Sequence, residues 1–207
     1  MAKTLIIVRH GNTFAAGQTP TRVGARTDLE LVEEKRARSV GKYLKSLEVF
    51  PDKFFAAPLK RTMQTAKLAA EELGASTEII PEANFTEIDY GPDENKTEEE
   101  VEQRIGKDAI AKWNTSAIPP QGWKVDVSAI IVAWKNFANS IKAGETVFLC
   151  SSNGIIRFAP HILSENYENF CNAHDIKVAT GGVCIFKEEQ GKWSCTLWNE
   201  KPYKMEL

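Results

Sequence analysis

The run Leu5-Ile6-Ile7-Val8 is apolar on both faces and stops abruptly at Arg9-His10-Gly11. A short, continuous apolar segment of this kind fits a strand covered on both sides, not one with a solvated face. Val147-Phe148-Leu149-Cys150 repeats the pattern and runs into Ser151-Ser152-Asn153-Gly154. Two core strands that each end in a polar, glycine-containing turn leave few architectures open. The segments between them read as alternating helices and strands. Residues 31–47 place Leu31, Val40, Tyr43, Leu44 and Leu47 roughly on one helical face, and residues 53–56 suit a second strand ahead of Pro58. Residues 59–73 carry Leu59, Met63, Ala66, Leu68, Ala69 and Leu73 on a broad apolar face, with Gly74 as the stop. Residues 77–80 suit a further strand. Residues 126–142 repeat Ile130, Trp134, Phe137 and Ile141 at helical spacing, Ile155–Leu163 reads as another helix, and residues 181–198 as a terminal hairpin. This alternation argues for an α/β fold, a three-layer α/β/α arrangement around a mostly parallel central sheet.

Residues 85–122 differ in composition. Thr97 and Glu100 form a capping-box pair at the head of an acidic helix expected to run to about Trp113, and Ala117-Ile118-Pro119-Pro120 breaks it. We read this stretch as a small helical cap inserted in a single domain spanning residues 1–207. Lys and Arg total 26 against 28 Asp and Glu, a formal charge of −2. No global basic field favours nucleic acid and no polybasic tail favours a membrane, so an anion site must be a local cluster of cations. The four cysteines lack C-x-x-C spacing, and the first apolar run is too short for a secretion signal. A reduced, cytoplasmic protein is expected, with oligomeric state left open.

In an open α/β sheet, ligands bind beyond the carboxyl ends of the strands. Arg9 and His10 fall at one such end and Ser151–Gly154 at another. Taken alone, Arg-His-Gly allows two readings: a core histidine beside a paired arginine, or an imidazole nucleophile beside a guanidinium that grips phosphate, with Gly11 admitting the anion. Arg61 lies in the first turn of the helix after a strand, either as an exposed cation or where guanidinium and helix dipole together favour phosphate. Glu87 sits among apolar and aromatic neighbours in Phe85-Thr86-Glu87-Ile88-Asp89-Tyr90. It is a surface carboxylate, or a buried one whose raised pKa keeps a proton for a leaving group.

Arg9-His10-Gly11-Asn12-Thr13, Asp28-Leu29-Glu30-Leu31, the stretch Ala57–Ala66 (APLKRTMQTA) and the stretch Phe85–Glu94 (FTEIDYGPDE) resemble, in order, the motifs of the histidine phosphatase superfamily, the phosphoglycerate mutase-like fold. The resemblance spans nearly the whole chain. It implies a phosphohistidine on His10, phosphate held by Arg9 and Arg61, and Glu87 as proton donor, with no metal or other cofactor. It further implies substrate contacts from Asn12 and Thr13, and from Ser152, Asn153 and Gly154. Arg22 or Arg26 would contact a remote anionic part of the substrate; Arg26 is the one we assign. The family often carries a second histidine where this chain has Ser152, a serine where it has Ala57 or Pro58, and an asparagine near Ala15 and Ala16. Serine donates a hydrogen bond but no charge. Losing one preorganised donor costs about 3 kcal/mol of transition-state stabilisation. His174 and Lys177 are weaker candidates for the pocket, His161 is expected to point away from it, and Arg157 is expected to be structural.

The resemblance implies a phosphomonoester hydrolase acting on a small phosphorylated metabolite. A phospho-ligand or partner-binding protein of low turnover stays open because of Ser152. A phosphoglycerate mutase-type phosphotransferase is a further alternative, although residues 93–122 look small for the enclosed pocket a mutase needs.

Overall fold

The computed structural model describes residues 1–163 and 166–206. Six strands form one sheet: β1 (Lys3–Arg9), β2 (Lys53–Ala56), β3 (Ile79–Pro81), β4 (Thr146–Ser151), β5 (Val183–Glu189) and β6 (Lys192–Glu200), in the order β3-β2-β4-β1-β5-β6. β3, β2, β4 and β1 pair in parallel; β5 runs antiparallel to β1, and β6 to β5. The mostly parallel α/β sheet expected from the alternation is thus present, closed on one side by the terminal hairpin.

The apolar run of β1 serves two cores because side chains alternate across a strand. Ile6 and Val8 pack with α1 (Lys35–Ser46) and α2 (Lys60–Leu73) through Val40, Leu44, Ala66 and Ala69. Leu5 and Ile7 face the other layer, where Trp134 and Ala138 of α5 (Val127–Ser140) meet Phe85, Trp113 and Phe158. All four β1 side chains are fully buried, each contributing roughly 1.5–3 kcal/mol.

The boundaries depart from expectation where the chain has other duties. Residues 31–34 do not join α1. Leu31 N–H donates to Gln64 Oε1 of α2 at 2.9 Å and Val32 N–H to the Asn12 carbonyl at 3.0 Å, so this segment ties the loop after β1 to α2 instead of starting a helix. The acidic helix is two helices, α3 (Glu98–Ile105) and α4 (Lys107–Ser116), parted at Gly106 with φ +80°. The Thr97–Glu100 capping box is present. Ile155–Leu163 is not one helix. It is a single turn, α6 (Asn153–Ile156), followed by a 3₁₀ turn over Ala159–Ile162 that contains Pro160, which has no N–H to give a longer helix. A further helix, α7 (Tyr167–Ala173), carries too short an apolar pattern to have been read. β3 lies slightly later than residues 77–80 and ends on Pro81. No helix among the described residues is long and apolar enough to cross a membrane.

Candidate active site

The β1–β4 register sets the centre. Arg9 lies opposite Ser151, and His10 N–H donates to the Ser151 carbonyl at 3.1 Å, so His10 and Ser152 leave adjacent strand ends side by side. On the other flank, Gly181 N–H donates to the carbonyls of Arg9 and His10, both at 3.0 Å. The His10 ring is buried, and its Nδ1 lies 2.7 Å from the Gly11 carbonyl. A carbonyl only accepts, so Nδ1 carries the hydrogen and Nε2 keeps its lone pair. Burial, then the charges of Arg61 and Arg9, push the His10 pKa well below 6.5, against the opposing pull of the Gly11 carbonyl. The ring is held neutral.

Arg61, the second residue of α2, is fully buried. Its Nη1 donates to the Thr27 carbonyl at 2.8 Å and its Nη2 to that of Gly24 at 3.3 Å. The loop making those contacts is itself organised by Glu94, which accepts from Gly24 N–H, Arg26 N–H and Thr27 Oγ1 at 3.0, 3.1 and 2.9 Å. Asp28 accepts from Lys60 N–H at 2.7 Å and so caps α2. Thr65 Oγ1 accepts from Gly11 N–H at 3.0 Å and donates to the Arg61 carbonyl at 2.7 Å, joining the histidine loop to the same helix. Asp28 and Glu94 therefore act through Arg61, by positioning it.

Glu87 is buried, accepting from Ile88 N–H at 2.9 Å and Gly154 N–H at 3.2 Å. Burial raises its pKa above 4.5, opposed by those N–H groups and by Arg61 and Arg9. Gly154 permits the approach: a Cβ there would sit 2.2 Å from Glu87 Oε1. Four buried donors in this region have no partner among the described residues: Arg9 Nε, Arg22 Nε, Arg61 Nε and Ser152 Oγ. Orphaned buried donors are costly unless an acceptor arrives, and a phosphoryl group brings several.

Over His10 opens a cavity of about 640 Å³. Arg9, His10, Asn12, Thr13, Glu87 and Asn153 line it; Arg61, Ser152 and Gly154 are buried and are not part of its lining. Asn12 accepts from Thr180 Oγ1 at 2.9 Å. Arg26 corrects our expectation. It is exposed, paired with Asp89 at 3.0 Å and donating to the Gly91 carbonyl at 2.6 Å, outside the lining. Asp89 draws it outward, and Arg22 is the loop arginine that reaches the cavity, paired with Glu98 at 2.7 Å and 4.9 Å over the Trp123 ring.

His161 stacks on Tyr167 at 3.8 Å, its pKa pushed down to about 4 by burial, and His174 is exposed; neither lines the cavity. Lys177 and Arg157 do. Arg157 is buried, 3.9 Å from the Trp113 ring and bonded to the Asn153 carbonyl at 3.2 Å, as a structural residue would be. Tyr90 and Trp113 also line the cavity, and sequence reasoning missed both. Tyr90 stands three residues after Glu87, a proximity that was available as a signal; Trp113 arrives through the cap and had none. Among the described residues, no group of three or more His, Cys, Asp or Glu side chains is placed to hold a metal ion.

Comparison with known proteins decides the family, because the model of the histidine phosphatase superfamily (branch 1) matches residues 5–201. The chain belongs to the histidine phosphatase superfamily. A 2,3-bisphosphoglycerate-dependent phosphoglycerate mutase of Bartonella tribocorum is 30% identical over 134 residues, covering 59% of this chain and 61% of the mutase. The match thus spans about three-fifths of that relative. The corresponding mutase of Methylorubrum populi is 26% identical over 200 residues, 90% of each chain. Among solved histidine phosphatase folds, a mycobacterial glucosyl-3-phosphoglycerate phosphatase superposes with TM-score 0.76 at 17% identity, covering 96% of this chain and 99% of its own. A phosphoserine phosphatase mutant from Entamoeba histolytica, in complex with phosphoserine, gives TM-score 0.74 at 19% identity, covering 98% and 100%. At those identities the two structures establish the shared fold.

Proposed function

We propose that this histidine phosphatase family member hydrolyses the phosphomonoester of a small metabolite through a phosphohistidine at His10. The observation that carries the reading is the Nδ1–Gly11 hydrogen bond of a buried, neutral His10, which leaves Nε2 free beside two arginines. In the first step Nε2 forms a bond to phosphorus, the ester P–O bond breaks, and Glu87 gives its proton to the departing alkoxide. In the second, water attacks phosphorus, Glu87 takes a proton from it, and the P–N bond breaks to release phosphate. Arg9 and Arg61 stabilise the charge on the phosphoryl oxygens throughout. Hydrolysis is favoured over transfer because exposed residues Ala15, Ala16, Gln18 and Pro20 line the cavity and leave it open to water. The mutase relatives favour the second reading, transfer to another hydroxyl. Release of inorganic phosphate as the main product selects hydrolysis, and a transferred phosphoryl group selects the mutase.

The pH profile tests the assignment. The reactive form has His10 neutral and Glu87 protonated. For phenyl phosphate, kcat/KM corrected for the substrate's own ionisation should rise with pH along a limb centred below 6.5, as His10 loses its proton. It should fall along a limb above 4.5, as Glu87 loses its own. Glu87→Gln should abolish the alkaline limb and keep the acid one. An unchanged alkaline limb in that variant removes Glu87 from the mechanism.

A further inference from the structure

Five cationic side chains line the cavity among the described residues: Arg9, Arg22, Arg36, Arg157 and Lys177. Four are already committed. Arg9 Nη1 donates to the Val178 carbonyl at 2.6 Å, and Arg22 is paired with Glu98 at 2.7 Å. Arg36 donates to Thr180 Oγ1 at 2.5 Å and lies 4.1 Å over the Tyr203 ring; Arg157 is buried against Trp113. The Lys177 ammonium has no partner among the described residues.

Its backbone, by contrast, is fixed at every polar atom. Lys177 N–H donates to Asp175 Oδ1 at 2.8 Å, and the Lys177 carbonyl accepts from Asn199 Nδ2 at 3.2 Å. The next residue, Val178, is held to the site from both sides: its N–H donates to Asn153 Oδ1 at 2.8 Å and its carbonyl accepts from Arg9. Asn153 directly follows Ser152. A two-residue strap thus connects the position that lacks a charge, the arginine beside His10, and a lysine whose four-carbon stem is free to move.

We propose that Lys177 supplies the positive charge that Ser152 cannot, its ammonium swinging onto a non-bridging oxygen of the phosphoryl group seated over His10. Ser152 Oγ is fully buried and has no partner among the described residues, and a serine hydroxyl can donate one hydrogen bond but carries no charge. Lys177 acts by donating hydrogen bonds to the anion; no covalent bond is made or broken at its side chain. The geometry also explains why Asn153 turns its side-chain oxygen to Val178: this fixes the root of the lysine beside the anion. The proposal deepens the hydrolase reading and rests on it for the site, but it can be read by equilibrium binding alone.

The test is calorimetric titration of the full chain with inorganic phosphate, run alongside steady-state hydrolysis. Lys177 is exposed, so Lys177→Met should melt at the wild-type temperature. It should bind phosphate about tenfold more weakly, the scale of one charge-assisted hydrogen bond. Lys177→Arg should restore most of the affinity, a rescue that a role in packing alone would not give. Ser152→His should recover phosphate affinity in the Lys177→Met background by more than it improves the wild type, since either cation fills the same need. Less than about a threefold loss in Lys177→Met, or an equal effect of Ser152→His in both backgrounds, overturns the assignment. If phosphate affinity falls in Lys177→Met while the wild type hydrolyses nothing, the hydrolase reading fails and Lys177 remains the anion's cation.

Discussion

His10→Ala should lower hydrolysis of a generic aryl phosphate by about 10⁴-fold or more, the scale seen when the nucleophile of a covalent mechanism is removed. The size of the effect follows from the tautomer. With Nδ1 committed to the Gly11 carbonyl, only Nε2 can bond to phosphorus, and no other histidine lines the cavity. Asn12 and Thr13 line it but are weaker nucleophiles than a neutral imidazole. Folding should survive. The native ring is buried neutral and makes one local hydrogen bond, so its loss is mainly a cavity of order 1–3 kcal/mol, which thermal unfolding would register. Phosphate affinity should be kept, because Arg9 and Arg61 are anchored by backbone carbonyls and not by His10. Equal phosphate release by wild type and His10→Ala would point instead to a binding protein and a contaminating activity.

Glu87→Gln should divide substrates by leaving group. For an alkyl phosphate, whose alkoxide must be protonated as it departs, kcat should fall about 10²–10⁴-fold. For a nitrophenyl phosphate, whose leaving group needs no proton, the loss in the first step should be about tenfold or less, since general acid assistance contributes little there. The reason lies in burial. Out of water and accepting from the Ile88 and Gly154 N–H groups, Glu87 holds its proton above pH 4.5, and Gly154 lets it sit against the turn that begins α6. The same shift has a stability consequence. The folded state binds this proton more tightly than the unfolded chain, so its contribution is full below pH 4.5 and is lost as pH rises through the folded value. Because glutamine does not titrate, the Glu87→Gln variant should show a flatter dependence of unfolding free energy on pH in that window. A uniform loss across all leaving groups would make Glu87 a structural residue.

Much of this site was legible because its parts lie at strand ends and helix starts. Arg9 ends β1, His10 follows it directly, and Arg61 lies in the first turn of α2, positions that hydrophobic periodicity and turn residues mark directly. Glu87 was legible through its apolar neighbours. What the sequence hid depends on contacts between distant segments. Arg22 and Arg26 are four residues apart in one loop, and only the placement of Asp89 and Glu98 separates the one that faces the cavity from the one that faces solvent. Lys177 was legible only as a weaker pocket candidate, because its placement depends on the bonds of Val178 to Asn153 and Arg9, 25 and 169 residues away along the chain. In the fold, the break at Gly106 reflects a positive φ that helical periodicity does not encode. Residues 31–34 had the right pattern for α1 but were recruited to hold the histidine loop and α2 together.

The central claim, a covalent phosphoryl group on His10, is tested most directly by rapid acid-free quenching of the protein with phosphorus-labelled substrate, followed by peptide mapping. The account predicts label that survives alkali, is lost in acid, and maps to the peptide carrying His10 at up to one phosphoryl group per chain. Turnover of the same substrate with no label on that peptide at any quench time, under conditions where the first step is faster than the second, would contradict it.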